Sequence, residues 1–433
     1  AGERFAIKLG LNYLERAILL RGSDATPAVQ MANLRRRAIL CDGLGLYGPQ
    51  REALDALLAL ANEHRDDSML AFAFAQRSLL NDRQNRSAEA EADARAGAEV
   101  AARNDDAVRA ALCHGNLAWL EIGRSRSEAT AHLNQAMHWA QLARQRLAKW
   151  NDGIYEVQML LVASTLHRRY NDHDARGAAL ARAVELAAGI RAPRLQTGCL
   201  DGLVRWALDR AELSLAAGHI HTLRRLGLEF DLRLAVVQAA HFDGLWHLSA
   251  GRPDAALVAG AEALRLARAM AAVPSELLAL DLLGEASARL GRWPAAAAYF
   301  EELHTRRVQG TEAASTLSAR LRRDAARWQC GGSDGNAALQ DLLDALQDSP
   351  ALHAVGSVEF GISALGTAHA VLRSNAHPEA PRVLALALRT VEVELSGHAD
   401  PAVRQHIGQT LPWMREVLDA AGGPSAGAGC LGL

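Results

Sequence analysis

Aromatic residues are scarce in this sequence. They make up 5% of its 433 residues, although 50% of all residues are hydrophobic. A β-rich core depends on aromatic and β-branched side chains, whereas small apolar residues suit closely packed helices. The sequence also lacks a run of about 18 apolar residues, the minimum for a membrane-spanning helix. These absences predict a helical protein with ample apolar material for a core and no contact with a membrane.

Cysteine is scarce as well. No CxxC motif occurs, so neither a disulfide framework nor a zinc knuckle is expected. Residues 1–20 include Glu3, Arg4 and Lys8 and therefore lack the apolar core of a secretory signal peptide. We expect a cytoplasmic protein, and because the sequence does not begin with Met, we expect it to be part of a longer chain. The scattered cysteines are Cys41, Cys113, Cys199, Cys330 and Cys430.

An excess of one charge is also missing, since the formal net charge is −2. This balance gives no overall attraction to nucleic acid or anionic lipid, so neither is an expected direct partner. Nearly all basic residues are arginine, because Lys8 and Lys149 are the only lysines. Since acidic residues are as numerous, arginine doublets are expected on solvated helix faces rather than in a nucleic-acid stripe. The doublets are Arg36-Arg37, Arg168-Arg169, Arg224-Arg225, Arg306-Arg307 and Arg322-Arg323.

What the sequence does contain is a repeated helical unit, best formed at 276–308. Two apolar-periodic helices flank Gly291, a residue suited to the left-handed end of a helix. Gly284 and Ala296 are small where two helices would cross, and Phe300 would fill the gap between repeats. This pattern predicts a helical hairpin.

Similar units occur along most of the chain. The preceding unit has Gly244, Gly251 and Ala256 at the positions that correspond to Gly284, Gly291 and Ala296. Nothing is predicted to form a strand, so the fold is expected to be all-α. The predicted turn markers are Gly48, Asn85, Gly123, Asn171, Gly218, Gly251, Gly291, Gly335 and Asn375. Their average spacing is longer than the ~34 residues of a standard tetratricopeptide repeat, so longer and less regular helices are expected.

Motifs for nucleotide or acyl chemistry lack their essential parts or context. A P-loop requires Gly-Lys followed by Ser or Thr, but Lys8 precedes Leu and Lys149 precedes Trp. Residues 331–335 match the nucleophile elbow G-x-S-x-G, which works only as a strained turn between a strand and a helix. A loop is therefore favoured there. We predict no catalytic residue, no cofactor and no enzymatic activity.

Histidine spacing does not predict a metal site. HExxH is absent, and residues six apart do not share a helix face, as in His132/His138 and His241/His247. His219 and His221 are expected beside the turn marked by Gly218. Packed or solvated histidines are favoured over metal ligands.

With these residues in view, the chain resembles tetratricopeptide repeat (TPR) proteins over roughly residues 30–395. The TPR pattern W-x2-L-G-x2-Y, A-x3-F, P is met at Leu283-Gly284 and at Ala296 and Phe300, while its Trp, Tyr and Pro are replaced. The resemblance implies a right-handed α-solenoid of about nine TPR-like repeats that form one superhelix. Its expected parts are entry helices at 2–47, the best repeats at 238–308, a flexible loop at 330–336, a last helix at 401–421 and a disordered tail at 422–433.

The long repeats, rich in Arg and Ala, are more similar to the TPR-like arrays of large bacterial STAND regulators. In those ATP-dependent signal-transduction proteins the array follows a nucleotide-binding module. The resemblance implies a sensor or scaffold arm, with a P-loop module upstream of Ala1 and any DNA-binding output for transcription regulation elsewhere. TPR domains that clamp a peptide carboxylate use Lys or Arg with paired Asn residues, and only Asn116 could take such a place.

The resemblance also implies a concave face, lined by the first helix of each pair, that binds a protein, a peptide or a small polar effector. Ordinary solvent exposure is the alternative for each candidate residue. A second hypothesis is a free-standing scaffold that acts through self-association or assembly of other proteins, with the last helix as its cap. The side chains expected to face the groove are Gln158, Arg168, Arg205, Glu212, His241, Asp281, Glu285 and Arg289.

Overall fold

The computed structural model describes residues 2–21, 25–122, 124–146, 153–190, 192–308, 313–331, 333–347 and 360–422. Within these ranges every regular element is an α-helix and no strand occurs, as predicted. None of these helices is long and apolar enough to cross a membrane. The helices are α1 (Gly2–Arg21), α2 (Pro27–Leu44), α3 (Tyr47–Glu63), α4 (Asp67–Arg83), α5 (Ser87–Arg103), α6 (Ala107–Glu121), α7 (Arg126–Arg146), α8 (Ile154–Arg169), α9 (His173–Ala188), α10 (Pro193–Asp209), α11 (Leu213–Glu229), α12 (Arg233–Ser249), α13 (Pro253–Met270), α14 (Val273–Arg289), α15 (Trp293–Arg307), α16 (Ala313–Cys330), α17 (Ser333–Gln347), α18 (Gly361–Ser374), α19 (Ala380–Ser396), α20 (Pro401–Thr410) and α21 (Pro412–Ala420).

Consecutive helices pack against each other along nearly the whole chain. From α2 to α14, each even-numbered helix also contacts the next even-numbered one. In a curved array, helices two apart in sequence lie closest together on the inner side. The even-numbered helices therefore line the inner face, and the odd-numbered ones form the outer layer. The fold is an all-α solenoid of TPR-like hairpins.

Most turns between helices share one backbone geometry. In them, the N–H that follows the left-handed residue donates to the carbonyl five residues earlier, as Asp66 N does to Ala61 O at 2.9 Å. This is the Schellman motif, which satisfies the last carbonyls of a helix. Such turns recur at equal intervals in two long stretches of the chain. They lie at Arg65, Asn85 and Asp105, and again at Ala211, Asp231, Gly251, Ala271 and Gly291.

Two of these turns complete one hairpin, so one repeat extends from Gly251 to Gly291. The repeat is therefore longer than the ~34 residues of a standard TPR, as the spacing of the sequence markers predicted. Its constant length places residues of successive inner helices at equivalent positions.

Three of the predicted turn markers are wrong, and Gly123 lies outside the described residues. Gly48, Gly218 and Gly335 lie inside α3, α11 and α17. The turn at Ala211 could not be predicted, because the left-handed region is unfavourable for alanine. The regular spacing of the turns imposes this backbone conformation on Ala211. The left-handed residues beside these three markers are Gly45, Ala211 and Gly331.

Two further expectations need correction near the C-terminus. The predicted last helix at 401–421 is two helices, because Leu411 is extended and Pro412 starts a new helix at its first turn. The predicted loop at 330–336 is largely helical, since α16 ends at Cys330 and α17 begins at Ser333. From residue 423 onward, the expected tail lies outside the described residues.

Small residues permit close helix crossings where the repeat pattern predicted them. A Cβ added to Gly284 would lie 2.4 Å from Cε1 of Phe300, and one added to Gly244 would lie 2.4 Å from Cδ2 of Leu282. Ala296 and Phe300 are buried in the same apolar cluster. The packing role given to these residues is confirmed.

The solenoid also contacts itself between distant repeats. At the end of α2, the Asp42 carboxylate accepts hydrogen bonds from Arg83 and, at 2.7 Å, from Arg194 on α10. Burial alone would raise the pKa of Asp42, but the two guanidinium groups lower it to about 2. The first repeat is therefore tied by charge to the middle of the array.

Candidate binding face

Three candidate residues on α14 belong to a buried charge network. Asp281 is 0% exposed, accepts a hydrogen bond from Arg307 at 2.8 Å, and lies 2.6 Å from the Arg322 guanidinium. Arg322 is 2% exposed and also stacks over the ring of Phe300 at 4.8 Å. The expectation that Arg307 and Arg322 lie on solvated helix faces is therefore wrong, because the packing of the repeats turns them toward α14.

The C-terminal helices cover the other end of this network. Ser363 on α18 donates a hydrogen bond to Glu285 at 2.8 Å. Arg289 donates to Glu285 at 2.9 Å and to Glu416 on α21 at 2.8 Å. Glu285 and Arg289 are thus engaged by the chain itself, on the face where a ligand was expected.

Arg168 belongs to a second network, built around Asp209. Its Nε donates to Asp209 at 2.8 Å, and the buried Arg176 donates to the same carboxylate at 2.6 Å. Burial would raise the pKa of Asp209, but the two arginines hold it well below its usual range. The carboxylate therefore stays ionised and fixes both guanidinium groups.

Beside this network, two histidines join the array to the C-terminal helices. The rings of His173 and His398 stack with centroids 3.8 Å apart and planes 12° apart. Asn171 donates a hydrogen bond to the carbonyl of Val393, and Glu394 lies 3.9 Å from His173. Because both rings are buried, this junction favours neutral imidazoles.

Acidification is expected to destabilise this junction. Burial lowers the pKa of both His173 and His398 to about 4, from an ordinary value of 6.5. Unfolded histidines take up protons below about pH 6.5, and the folded ones resist until about pH 4, so stability is lost as pH falls through this window. Glu394 opposes the change, since burial and the charge of Asp209 raise its pKa to about 7. Its contribution to stability therefore increases as pH falls from about 7 to 4.5.

The pH effect can be measured by urea unfolding at pH 7.5, 6 and 5. Replacing His398 with Gln removes one of the two groups that resist protonation, so the loss of stability across this range should become smaller. The exposed His64→Gln variant is the matched control and should follow the wild-type profile. An unchanged profile in His398→Gln would show that the stacked pair does not govern acid stability.

Gln158 and Arg205 lie apart from both networks. On α8, the amide oxygen of Gln158 is buried and accepts no hydrogen bond from the described residues. Arg205 donates to Asp201 on its own helix at 3.2 Å and stacks over the ring of Phe242 at 4.7 Å. These two side chains retain polar groups available for another partner.

The last two candidates have local surroundings. Glu212 precedes α11 and accepts a hydrogen bond from Arg210 at 2.7 Å. His241 is buried on α12. It lies one repeat after Asp201 and one repeat before Asp281, so the three occupy equivalent positions on successive inner helices.

Sequence reasoning missed Arg176, Asp209, Arg322 and the two stacked histidines. Counting one repeat length onward from α14 would have placed Arg322 on an inner helix. No sequence pattern pairs His173 with His398, because the two residues are far apart in sequence and meet only in the folded array. Among the described residues, no three His, Cys, Asp or Glu side chains are arranged to hold a metal ion.

No family model matches the sequence, and no curated protein sequence matches it either. Several solved structures share helical-repeat architecture with it. One is a signal transduction ATPase with numerous domains (STAND) protein with a tetratricopeptide repeat sensor from Pyrococcus horikoshii. It is 11% identical, with a TM-score of 0.41, over 89% of this chain and 52% of that one. This chain thus spans about half the length of the archaeal protein.

Two further likenesses are weaker. The TPR domain of P58(IPK) is 13% identical, with a TM-score of 0.22, over 90% of this chain and 99% of that one. A circular tandem repeat protein is 14% identical, with a TM-score of 0.22, over 90% and 94% of the two chains. Because all three TM-scores are low, the description of the fold is based on the contacts between helices of this chain.

Proposed function

We propose that this chain is a non-enzymatic recognition solenoid whose inner face binds a protein, a peptide or a small polar effector. The observation that supports this is a pair of polar side chains on the neighbouring inner helices α8 and α10. The amide oxygen of Gln158 accepts no hydrogen bond from the described residues, and Arg205 is held by Asp201 of its own helix and by the ring of Phe242. Oriented charged groups on a concave surface suit a polar ligand held by charge-assisted hydrogen bonds. Gln158 and Arg205 are the candidates with polar groups still available.

The same proposal includes a place in a larger cytoplasmic bacterial regulator, as its sensor or scaffold arm. Its support is the resemblance of the long repeats, rich in Arg and Ala, to the arrays of STAND regulators. Since ATP-dependent switching would belong to another module, this chain by itself is expected to bind no cofactor.

The test compares an inner-face variant, Gln158→Ala with Arg205→Ala, with an outer-face control. The control is Arg225→Ala on α11, where Arg225 is exposed and pairs with Glu229. Immobilised full chains are exposed to the protein fraction and to the small-molecule fraction of a cell extract, and bound components are identified by mass spectrometry. A ligand retained by the wild type and the control should bind the inner-face variant at least about tenfold more weakly. Equal retention by all three chains, with unchanged helicity, would remove this face from the proposal.

Self-association is a second candidate, favoured by the first helix. Leu19 and Leu20 are 81% and 79% exposed, and Tyr13 on the same helix is also exposed. An apolar terminal face of a solenoid is a common surface for stacking. Light scattering should then show a mass that increases with concentration, and Leu19→Ser with Leu20→Ser should abolish the increase. A constant monomer mass would exclude this function for the chain by itself.

A further inference from the structure

The C-terminal helices α18–α21 contact two parts of the array in different ways. With α16 and α17 they share one apolar cluster, and Ser363 and Glu416 each form a hydrogen bond of 2.8 Å with a side chain of α14. Their contacts with the turns after α8 and α10 are mostly polar. Among the described buried residues, Ala211 is the only member of that cluster that precedes α16. We call α18–α21 the C-terminal block and its contact with these two turns the seam.

The seam consists of a few close contacts. Asn171 donates a hydrogen bond to a backbone carbonyl of α19, and His406 Nε2 lies 3.3 Å from the carbonyl oxygen of Ala211. The stacked rings of His173 and His398 belong to the same seam. Because these groups are polar and the only apolar side chain is small, little buried apolar surface opposes separation of the seam.

The seam lies at one edge of the proposed binding face. Asp209, two residues before Ala211, is four residues from Arg205, so their side chains share one face of α10. The other end of α10 is also bridged, since Arg194 donates to Asp42 of α2 at 2.7 Å. At that edge, α2 and α3 share an apolar cluster with α12 and α13. Of the two edges, the seam is therefore the one that separates more easily.

Charged groups surround the stacked rings of the seam. Among the described residues, Asp209 and Glu394 supply the carboxylates near the rings. Three guanidinium groups outnumber them, those of Arg168, Arg176 and Arg210. With both carboxylates ionised, three positive and two negative charges leave one positive charge in excess. Protonation of both rings would add two more with centroids 3.8 Å apart, and separation of the seam would let water solvate them.

The balance of protons gives the direction of the acid response. In the closed seam the pKa of each ring is about 4, because burial disfavours the charged imidazole, and the pKa of Glu394 is about 7. Opening near pH 5.5 returns these groups to water, so each ring gains a proton and Glu394 loses one. The net uptake is about one proton, and acid therefore favours the open seam.

We propose that the seam is a gate at the edge of the inner face and that acid opens it. The C-terminal block stays docked on α14 and α16, while the turns after α8 and α10 move away from α19 and α20. A small change in the curvature of the intervening repeats is enough, because rotations sum along a solenoid. Opening exposes the inner face beside Arg205, one helical turn from the seam. This inference rests on the proposed function and gives its binding face a means of regulation.

A wedge of one methyl group tests the gate at constant pH. In Gly397→Ala the added Cβ would lie 2.4 Å from the carbonyl oxygen of Asn171, so the seam should open without acid. Gly189→Ala is the matched control. Both glycines end a helix with right-handed backbone angles, but a Cβ at Gly189 would meet only the carbonyl oxygen of Leu186, at 4.0 Å.

Amide hydrogen exchange and arginine modification measure the opening at pH 7.5. Exchange in residues 168–173 and 396–401 should be at least about tenfold faster in Gly397→Ala than in Gly189→Ala, as expected for overpacking of a local contact. Helices α14, α16 and α18 should keep their protection. Phenylglyoxal should also modify Arg205 faster in Gly397→Ala, relative to the exposed Arg225 of α11.

The acid response is measured on the wild type. Between pH 7.5 and 5, exchange at the seam should become about tenfold faster after correction for the intrinsic rate. In His398→Gln one ring is left against Glu394, so the acid response should nearly vanish.

Two results would overturn the gate. One is exchange at the seam that is as slow in Gly397→Ala as in Gly189→Ala, and the other is a loss of protection that extends to α14, α16 and α18. An acid response of equal size in His398→Gln would overturn opening by acid. Neither readout needs a bound ligand. A seam that stays closed would leave the retention of an extract component through Arg205 intact, so the gate and the proposed function fail separately.

Discussion

Replacing Asp281 with Ala is expected to lower the free energy of unfolding by about 3–5 kcal/mol, the usual cost of removing one partner from a buried ion pair. The carboxylate is fully buried and contacts both Arg307 and Arg322. Without it, Arg322 remains buried with Glu285 as its only carboxylate within 4.0 Å among the described residues, at 3.7 Å. A buried guanidinium that keeps only this more distant carboxylate among the described residues is the source of the loss.

Urea unfolding followed by circular dichroism measures this loss, and two further variants show its origin. Asp55→Ala removes an exposed partner of Arg77 and should cost at most about 1 kcal/mol. Replacing both Asp281 and Arg322 with apolar residues of similar size should recover part of the stability, because the more deeply buried orphaned charge is gone and Arg307 keeps its hydrogen bond to the carbonyl of Ser315. If Asp281→Ala is as stable as Asp55→Ala, the buried network does not hold these repeats together.

Gly284→Ala is expected to destabilise the protein by about 1–3 kcal/mol, the usual cost of overpacking a filled core. The added methyl would lie 2.4 Å from a ring atom of Phe300, which is itself buried. The ring has little room to move, since it packs between α14 and α15 in a cluster with Ala296 and Leu303.

Gly218→Ala is the matched substitution, because Gly218 also lies within a helix but a Cβ there would meet nothing within 4 Å. It should stabilise the protein by up to about 1 kcal/mol through helix propensity alone. If the free energy of unfolding falls in Gly284→Ala and rises in Gly218→Ala in the same assay, close packing at Gly284 is supported. Stabilisation by both would mean that the crossing of α14 and α15 tolerates a larger residue.

The local part of the fold could be predicted from the sequence. Gly251, Gly291, Gly284 and Phe300 identified a hairpin and its packing, because glycine turns and close crossings leave direct traces in the choice of residue. Turns at Ala211 and Ala271 left no trace, since an alanine in a left-handed turn is imposed by the neighbouring helices.

The long-range part could not be predicted in this way. The bond from Arg194 to Asp42 and the stack of His173 on His398 join residues that are far apart in sequence and meet only through the curvature of the array. For the same reason, repeat positions alone could place Asp281, Glu285 and Arg289 on inner helices but could not show that α16 and α18 would cover them. The curvature depends on small rotations summed over many repeats, which no single residue specifies.

In the function proposed for this chain, the inner, even-numbered helices carry the binding face. Amide hydrogen exchange of the full chain, with and without the extract component that it retains, tests this most directly. Slower exchange is predicted in peptides from α8 and α10 when the ligand is bound. Protection confined to the odd-numbered outer helices, or to α1, would contradict the proposed location of the binding face.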